Sequence, residues 1–260
     1  MTAKVILITG ASSGIGYAAA VAFASRGDHV VALARRAERL AELTTVIATL
    51  PEPHGEILTM AADVRDPAAL QSAVDQAVAR FGRLDVLIAN AGVGQRGDLC
   101  DAAWDDLETL LRTNIDGVLH SIRAAVPALR QTHGQIVLIS SVSARLTAPY
   151  AAAYSASKAF VSSIGRALRF ELAADGIAVT EMLIGRTATE FSAKRLGQTG
   201  HATRAPRLPN MTADRVAAAI LRAVDRRQRT VVLRLFDRLI LWASVIAPDM
   251  IARQAQRQYR

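Results

Sequence analysis

The sequence predicts an α/β protein, one doubly wound parallel sheet of about seven strands with helices on both faces, followed by a C-terminal helical extension. Short apolar or β-branched runs recur as KVILIT, HVVALA, GEILTMA, LDVLIA, GQIVLIS, IAVTEMLI and TVVL. Runs with so little polar alternation are what strands covered on both faces look like. Between them lie helical patterns of roughly 15 to 25 residues, the spacing of strand–helix–strand units. No repeat, low-complexity linker or break in composition interrupts this before Leu233. Residues 1–233 therefore read as one domain and 234–260 as the extension.

Composition narrows the chemistry. The chain has 260 residues, 51% of them hydrophobic, enough for a large core. Its single cysteine, Cys100, excludes an internal disulfide framework and a multi-cysteine zinc site, reads as structural, and suits a reducing compartment. Met1, Thr2 and Ala3 alone lie ahead of the segment that opens the first run, too little for a cleavable signal, so a cytoplasmic location is expected. The formal charge of +8 comes entirely from residues 204–260, with 12 arginines against four aspartates; the rest of the chain carries 19 charges of each sign. Since 28 of the 31 basic residues are arginine, the excess reads first as a solvated basic face, and nucleic-acid binding would rest on the tail alone and is not expected. The five histidines show no metal-ligand spacing, and no metal is expected. Neither Ser141 nor Ser155 lies in a GxSxG elbow, which removes the main support for a serine hydrolase.

Taken in order, the first run leads into TGASSGIG, placing Gly10, Ser12, Ser13, Gly14, Ile15 and Gly16 at a strand-to-helix turn. Glycines there let backbone N–H groups and the helix N-terminus approach a pyrophosphate. The third run is followed by Asp63 and Val64, then by Asp66 as a helix cap, Pro67 in the first turn and a terminal Gly82. The fourth ends at Asn90, Ala91 and Gly92. Asn114 sits inside a long helical pattern where asparagine is unfavourable. The fifth ends at Ser140 and Ser141, which face opposite ways if strand geometry persists. Then comes AAAYSASKAF, where Tyr154 and Lys158 are four apart and share a helix face. An ammonium about 4 Å from a phenol, at an effective dielectric of 20, is worth about 4 kcal/mol or roughly three pKa units. Lys158 is therefore expected to lower the Tyr154 pKa.

The TGxxxGxG spacing of Gly10, Gly14 and Gly16, with Asp63-Val64, Asn90-Ala91-Gly92, Asn114 in RTNIDGV, Ser141, Tyr154 and Lys158 in that order, resembles the classical short-chain dehydrogenase/reductase family over residues 4 to 233. The resemblance implies a Rossmann-type fold and a role for each motif. Tyr154 would exchange a proton with the substrate oxygen as hydride is transferred. Lys158 would lower the tyrosine pKa and bond the nicotinamide ribose. Ser141 would hold the substrate oxygen, and Asn114 would organise a water linking Lys158 to solvent. Asp63 and Val64 would contact adenine, and Asn90, Ala91 and Gly92 would support the cofactor. Gly185, Thr187 and Thr189 fall in IGRTAT where the family has PGxVxT, and would contact the carboxamide. An acidic residue at the end of the second strand would bond the adenosine ribose; its place is taken by Ala34, followed by Arg35 and Arg36. This implies NADP(H), with Arg35 as the main 2′-phosphate contact and Arg36 as the secondary one.

Substrate is expected between GVGQRG, VSARLTAP and a lid over 186–210 that includes Phe191 and Leu196. In the extension, Arg234, Asp237 and Arg238 form a narrow polar face, and the nine residues from Leu239 to Ala247 carry no charge, short of the roughly 20 that span a bilayer. This segment is expected to be buried against its own domain, in a homodimer or homotetramer interface, or peripherally on an anionic membrane through Trp242 and the arginines. The functional expectation is an NADP(H)-dependent enzyme interconverting a carbonyl and a secondary alcohol, with an apolar lipid-, steroid- or acyl-like substrate. The alternative is a non-catalytic NADP-binding sensor on the same fold, which would have no need of Asn114, Ser141, Tyr154 and Lys158 together.

Overall fold

The structure, a computed structural model, describes residues 3–197 and 209–256. The first half of the chain alternates β1 (Val5–Thr9), α1 (Gly14–Ser25), β2 (His29–Ala34), α2 (Ala37–Ala48), β3 (Ile57–Ala61), α3 (Pro67–Phe81) and β4 (Val86–Ala89). It continues through α4 (Trp104–Leu111), α5 (Gly117–Thr132), β5 (Gln135–Ser141), α6 (Ala152–Glu171) and β6 (Ala178–Ile184). A two-stranded ladder of β7 (Thr187–Ala188) and β8 (Met211–Thr212) follows, then α7 (Ala213–Asp225) and β9 (Thr230–Val232). The main sheet has seven parallel strands in the order β3-β2-β1-β4-β5-β6-β9, as the seven apolar runs predict. The chain winds outward from β1 to β3 and then crosses to β4, so the order reverses between β1 and β4. In open α/β sheets, ligands bind beyond the carboxyl ends of the strands at such a reversal.

The weak polar alternation of the runs is explained by two cores. Ile6, Ile8, Val30 and Ala32 pack under Phe23 of α1, Leu43 of α2 and Ile220 of α7. Their neighbours Val5, Leu7, Val31 and Leu33 point the other way, toward Leu70 of α3, Leu129 of α5 and Val161 of α6. Helix ends follow local chemistry. The Asp66 carboxylate accepts the N–H of Ala68 at 2.9 Å and of Ala69 at 3.3 Å, Pro67 fills the first turn, and Gly82 closes α3 with φ of 76°.

Two regions depart from the sequence reading. The long helical pattern around Asn114 is not continuous, because a π turn at Arg112–Asp116 separates α4 from α5. Such insertions are frequent at functional sites. The extension folds as α8 (Leu235–Ile246) and α9 (Pro248–Gln256), but α8 docks through its polar face. Asp237 is only 4% exposed and accepts from Arg234 Nε and Nη2, both at 2.8 Å. This pair lies over Gly185 at the end of β6, where a Cβ would collide with Asp237 Oδ2 and come within 2.7 Å of Arg234 Nη2. Leu235, Phe236, Leu239, Trp242, Val245, Ile246 and, on α9, Met250 are left exposed, so the apolar face is not buried on its own domain. Among the described residues no helix is long and apolar enough to cross a membrane. Cys100, read as structural, is exposed.

Candidate active site

The reacting end of the site is built where β5 meets α6. Alternation along β5 separates the two serines. Ser140 turns toward α6, where its Oγ donates to the Lys158 carbonyl at 3.1 Å and meets Ser162 Oγ at 2.9 Å. Ser141 faces the cleft, as expected. Its Oγ accepts from Ser143 N at 3.2 Å and Ser143 Oγ at 2.9 Å and is hydrogen-bonded to the Tyr154 hydroxyl. One turn beyond Tyr154, the Lys158 amine is buried, and Nζ donates to the Ile139 carbonyl at 2.9 Å. Burial lowers its pKa to about 8. Burial also raises the Tyr154 phenol above its usual value, against the opposing pull of the Ser141 hydrogen bond and the Arg195 charge. The sequence reading expected the reverse, a phenol lowered by a fully charged Lys158. Burial decides both directions, and it holds the phenol protonated near neutral pH. The Tyr154 ring lies 5.9 Å from that of Phe191, the first apolar wall of the substrate end.

Asn114 is fully buried in the π turn, and its side chain is committed to protein partners. Nδ2 donates to the Val93 carbonyl at 2.9 Å and Ser157 Oγ at 3.0 Å, and Oδ1 accepts from Val93 N at 2.8 Å. Ser157 Oγ in turn donates to the Tyr154 carbonyl at 2.7 Å. Asn114 thus ties the segment that follows β4 to the helix carrying Tyr154, and a water relay at residue 114 would have to use its main chain. Asn90 performs a similar task at the phosphate loop. Its Nδ2 donates to the carbonyls of Thr9 and Gly10 at 2.9 and 3.2 Å, while the N–H groups of Asn90 and Ala91 both reach Thr9 Oγ1 at 3.1 Å. Thr9 is a positioning residue that the sequence reading missed. Gly16 must be glycine here, because a Cβ would strike the Gly10 carbonyl oxygen and sit 2.6 Å from Asn90 Nδ2.

At the adenosine end, Arg35 is exposed, whereas Arg36 is half-buried and lies across the phosphate loop. Arg36 Nη2 donates to Ser13 Oγ at 2.8 Å and Ser12 Oγ at 3.1 Å. Burial pushes the Asp63 carboxyl up, but its bonds from Arg65 overcome this and keep it below the ordinary range. Val64 is buried beside Gly117. Beyond β6, Thr187 Oγ1 donates to the Gly185 carbonyl at 3.1 Å, and Thr189 faces Gly14. The end of the first described stretch of the expected lid is pinned to the segment after β4 and to α4: Leu196 N donates to the Gly94 carbonyl at 2.8 Å and Gly197 N to Asp106 Oδ2 at 2.9 Å. Residues 198–208 of that lid lie outside the described residues.

All of this surrounds one continuous cleft of about 880 Å³, running from Gly10 and Ser13 past Asn90 and Gly92 to Ser141 and Tyr154, with Ile15 and Ala91 also on its wall. The volume falls in the range of ligand pockets, and a glycine turn at a helix N-terminus is a setting suited to an anionic group. Among the described residues no group of His, Cys, Asp and Glu could hold a metal. The family model described as short chain dehydrogenase matches residues 4–199. The chain belongs to the short-chain dehydrogenase family. It is an oxidoreductase of CH–OH groups with a nicotinamide nucleotide as acceptor. It is 34% identical to 11-beta-hydroxysteroid dehydrogenase 1A of Arabidopsis thaliana, over 95% of this chain and 73% of that one. A short-chain dehydrogenase/reductase from Burkholderia phymatum, solved with NAD, superposes with a TM-score of 0.84 at 25% identity, covering 95% of each chain. An alcohol dehydrogenase from Thermococcus sibiricus, solved with 5-hydroxy-NADP, gives 0.77 at 27% identity, covering 90% of this chain and 97% of that one.

Proposed function

We propose that this dehydrogenase uses NADP(H) to interconvert an apolar carbonyl compound, lipid-, steroid- or acyl-like, and its secondary alcohol. The observation that carries the reading is the arrangement of Ser141, Tyr154 and Lys158 at one end of a cleft whose other end presents Arg35 and Arg36 beside an apolar Ala34. When bound, the nicotinamide supplies or accepts the hydride. Ser141 Oγ holds the substrate oxygen, and the half-buried Tyr154 phenol, protonated near neutral pH, gives it a proton. Lys158, titrating at about 8, then returns a proton toward the phenol from the Ile139 side of the site. Asn114 keeps residue 93 and the Tyr154 helix in register while this happens. Reduction is therefore expected to hold its rate through neutral pH, and oxidation, which needs the phenolate, to rise with pH.

An apolar substrate is supported by Phe191 beside Tyr154 and by the hydroxysteroid dehydrogenase of Arabidopsis thaliana among the relatives. A non-catalytic sensor is disfavoured by the complete proton-handling set. The reading includes a homodimer or homotetramer at a cytoplasmic location. It also includes peripheral contact of α8 with an anionic lipid surface, supported by the exposed apolar face and the exposed Arg238 and Arg253 along the extension. The decisive experiment is oxidation of NADPH and NADH with a panel of apolar ketones, aldehydes and β-ketoacyl thioesters, beside Tyr154→Phe. A preference for NADPH and a roughly 10²- to 10⁴-fold loss in the variant are expected. Preference for NADH removes the cofactor assignment, and undiminished activity removes the mechanism. Full-length protein should sediment with anionic vesicles and a chain ending at Leu233 should not; identical behaviour removes the lipid contact.

A further inference from the structure

At the adenosine end of the cleft, three cationic side chains among the described residues converge on one carboxylate. Glu190 Oε2 accepts from Lys194 Nζ at 2.6 Å and from Arg36 Nη1 at 3.1 Å, and Oε1 lies 3.8 Å from Arg39 Nη2. Arg36 caps α2 and Arg39 lies in its first turn, while Glu190 follows β7, 154 residues from Arg36 in sequence. The pair is therefore made by the fold and not by a helix surface. Through its other nitrogens the same Arg36 guanidinium grips Ser12 and Ser13 of the phosphate loop. A guanidinium held against that loop, with a second guanidinium beside it, is a fork suited to a phosphate monoester. Glu190 already places an anionic oxygen on that fork. Its bonds from Lys194 and Arg36 hold the carboxyl at about 2, so it is an anion at any working pH. Two anions cannot share the fork at this distance without strong repulsion. The Glu190 side chain is 41% exposed, which gives it solvent to swing into.

We infer that Glu190 is a specificity-determining residue that stands in for the 2′-phosphate of the cofactor on Arg36 and must leave before that phosphate binds. The inference rests on the NADP(H) reading. In the absence of a phosphate, Glu190 keeps Arg36 drawn across the loop. On binding, the phosphate inherits Arg36 and Arg39, and Glu190 withdraws with its neighbour Lys194. Cofactors lacking the 2′-phosphate leave the pair intact, so Glu190 narrows the preference for NADP(H) over NAD(H) and does not create it.

The test is calorimetric titration of the full chain with 2′,5′-ADP and with 5′-AMP, which differ only by the 2′-phosphate. Glu190→Gln, with Glu190→Ala as a second variant, should bind 2′,5′-ADP roughly tenfold more tightly than the wild type, the equivalent of one exposed charged contact in a partly shielded site. Binding of 5′-AMP should stay within about twofold, and the gain should shrink as salt is raised. A wild type that prefers 2′,5′-ADP, with neither variant gaining, overturns the role of Glu190 and leaves the NADP(H) reading standing. Variants that bind 2′,5′-ADP more weakly also overturn it, because Glu190 would then be supporting the phosphate site. No preference for 2′,5′-ADP in any of the three proteins overturns the NADP(H) reading and the inference together.

Discussion

The two ends of the cleft are built on different principles. At the reacting end, Ser141, Tyr154 and Lys158 stand on a central strand and the helix packed against it, and each polar atom has a partner fixed by that packing. At the adenosine end, Arg35 is exposed where β2 gives way to α2, and Arg36 beside it divides its guanidinium between the Ser12 and Ser13 hydroxyls and the partly exposed Glu190. Proton transfer needs atoms held within tenths of an ångström, and buried backbone carbonyls and serines supply that. Phosphate selection needs charge more than position, and arginines at a partly exposed edge of the cleft supply charge. The reacting end should therefore register in stability and pH, and the adenosine end in ligand affinity and salt.

The largest difference is expected at Lys158. Its amine titrates at about 8 in the fold and at 10.5 ordinarily, so below pH 8 the fold bears the full cost of burying an ammonium. Between pH 8 and 10.5 the unfolded chain holds the extra proton, and this group makes stability rise with pH by roughly 3 kcal/mol. Urea unfolding at pH 7.5 and pH 10 should show that rise in the wild type, diminished by about this amount in Lys158→Met; parallel pH dependence of the two proteins would count against the depressed amine. Next in size is Arg36→Ala, which removes charged hydrogen bonds worth about 1.5–3 kcal/mol each. It should raise the NADPH KM by roughly ten- to a hundredfold, with a weaker salt dependence and unchanged pH dependence of stability. If the loss appears equally with NADH, Arg36 serves the loop and not the phosphate. The smallest effect is expected for Ser13→Ala, which deletes a single hydroxyl partner of Arg36. A severalfold rise in the NADPH KM, with kcat unmoved, fits one net hydrogen bond of about 1 kcal/mol. A fall in kcat would tie the two ends together more closely than the geometry does.

The same contrast explains what was legible in the sequence. The seven strands were readable because burial on both faces leaves runs with little polar residue, and the strand-end motifs because the winding reversal collects them at one crevice. That Ser140 and Ser141 face opposite ways was readable from strand alternation, and the choice of Ser141 came from its thirteen-residue spacing to Tyr154 in the family resemblance. The π turn was not, since Asn114 is unfavourable in any helix and the sequence does not say whether the chain bends or pays in stability. Thr9 and Glu190 were missed because their partners lie 81 and 154 residues away, with no local period to betray them. The orientation of α8 was missed because apolar count pointed to burial, whereas one paired aspartate against Gly185 decided which face turned inward.

The buried amine of Lys158 also makes the molecule a convenient object for chemical labelling. The chain contains only three lysines, Lys4, Lys158 and Lys194. Lys4 and Lys194 are held by carboxylates, the first 3.7 Å from Asp225 and the second 2.6 Å from Glu190. At pH 8 about half of Lys158 is the free, nucleophilic base. Reductive methylation with a small aldehyde that enters the cleft, followed by peptide mass analysis, should therefore mark Lys158 with a pH dependence centred near 8. The mark should fade as the cleft is filled, which turns one amine into a direct gauge of occupancy for whatever molecule enters.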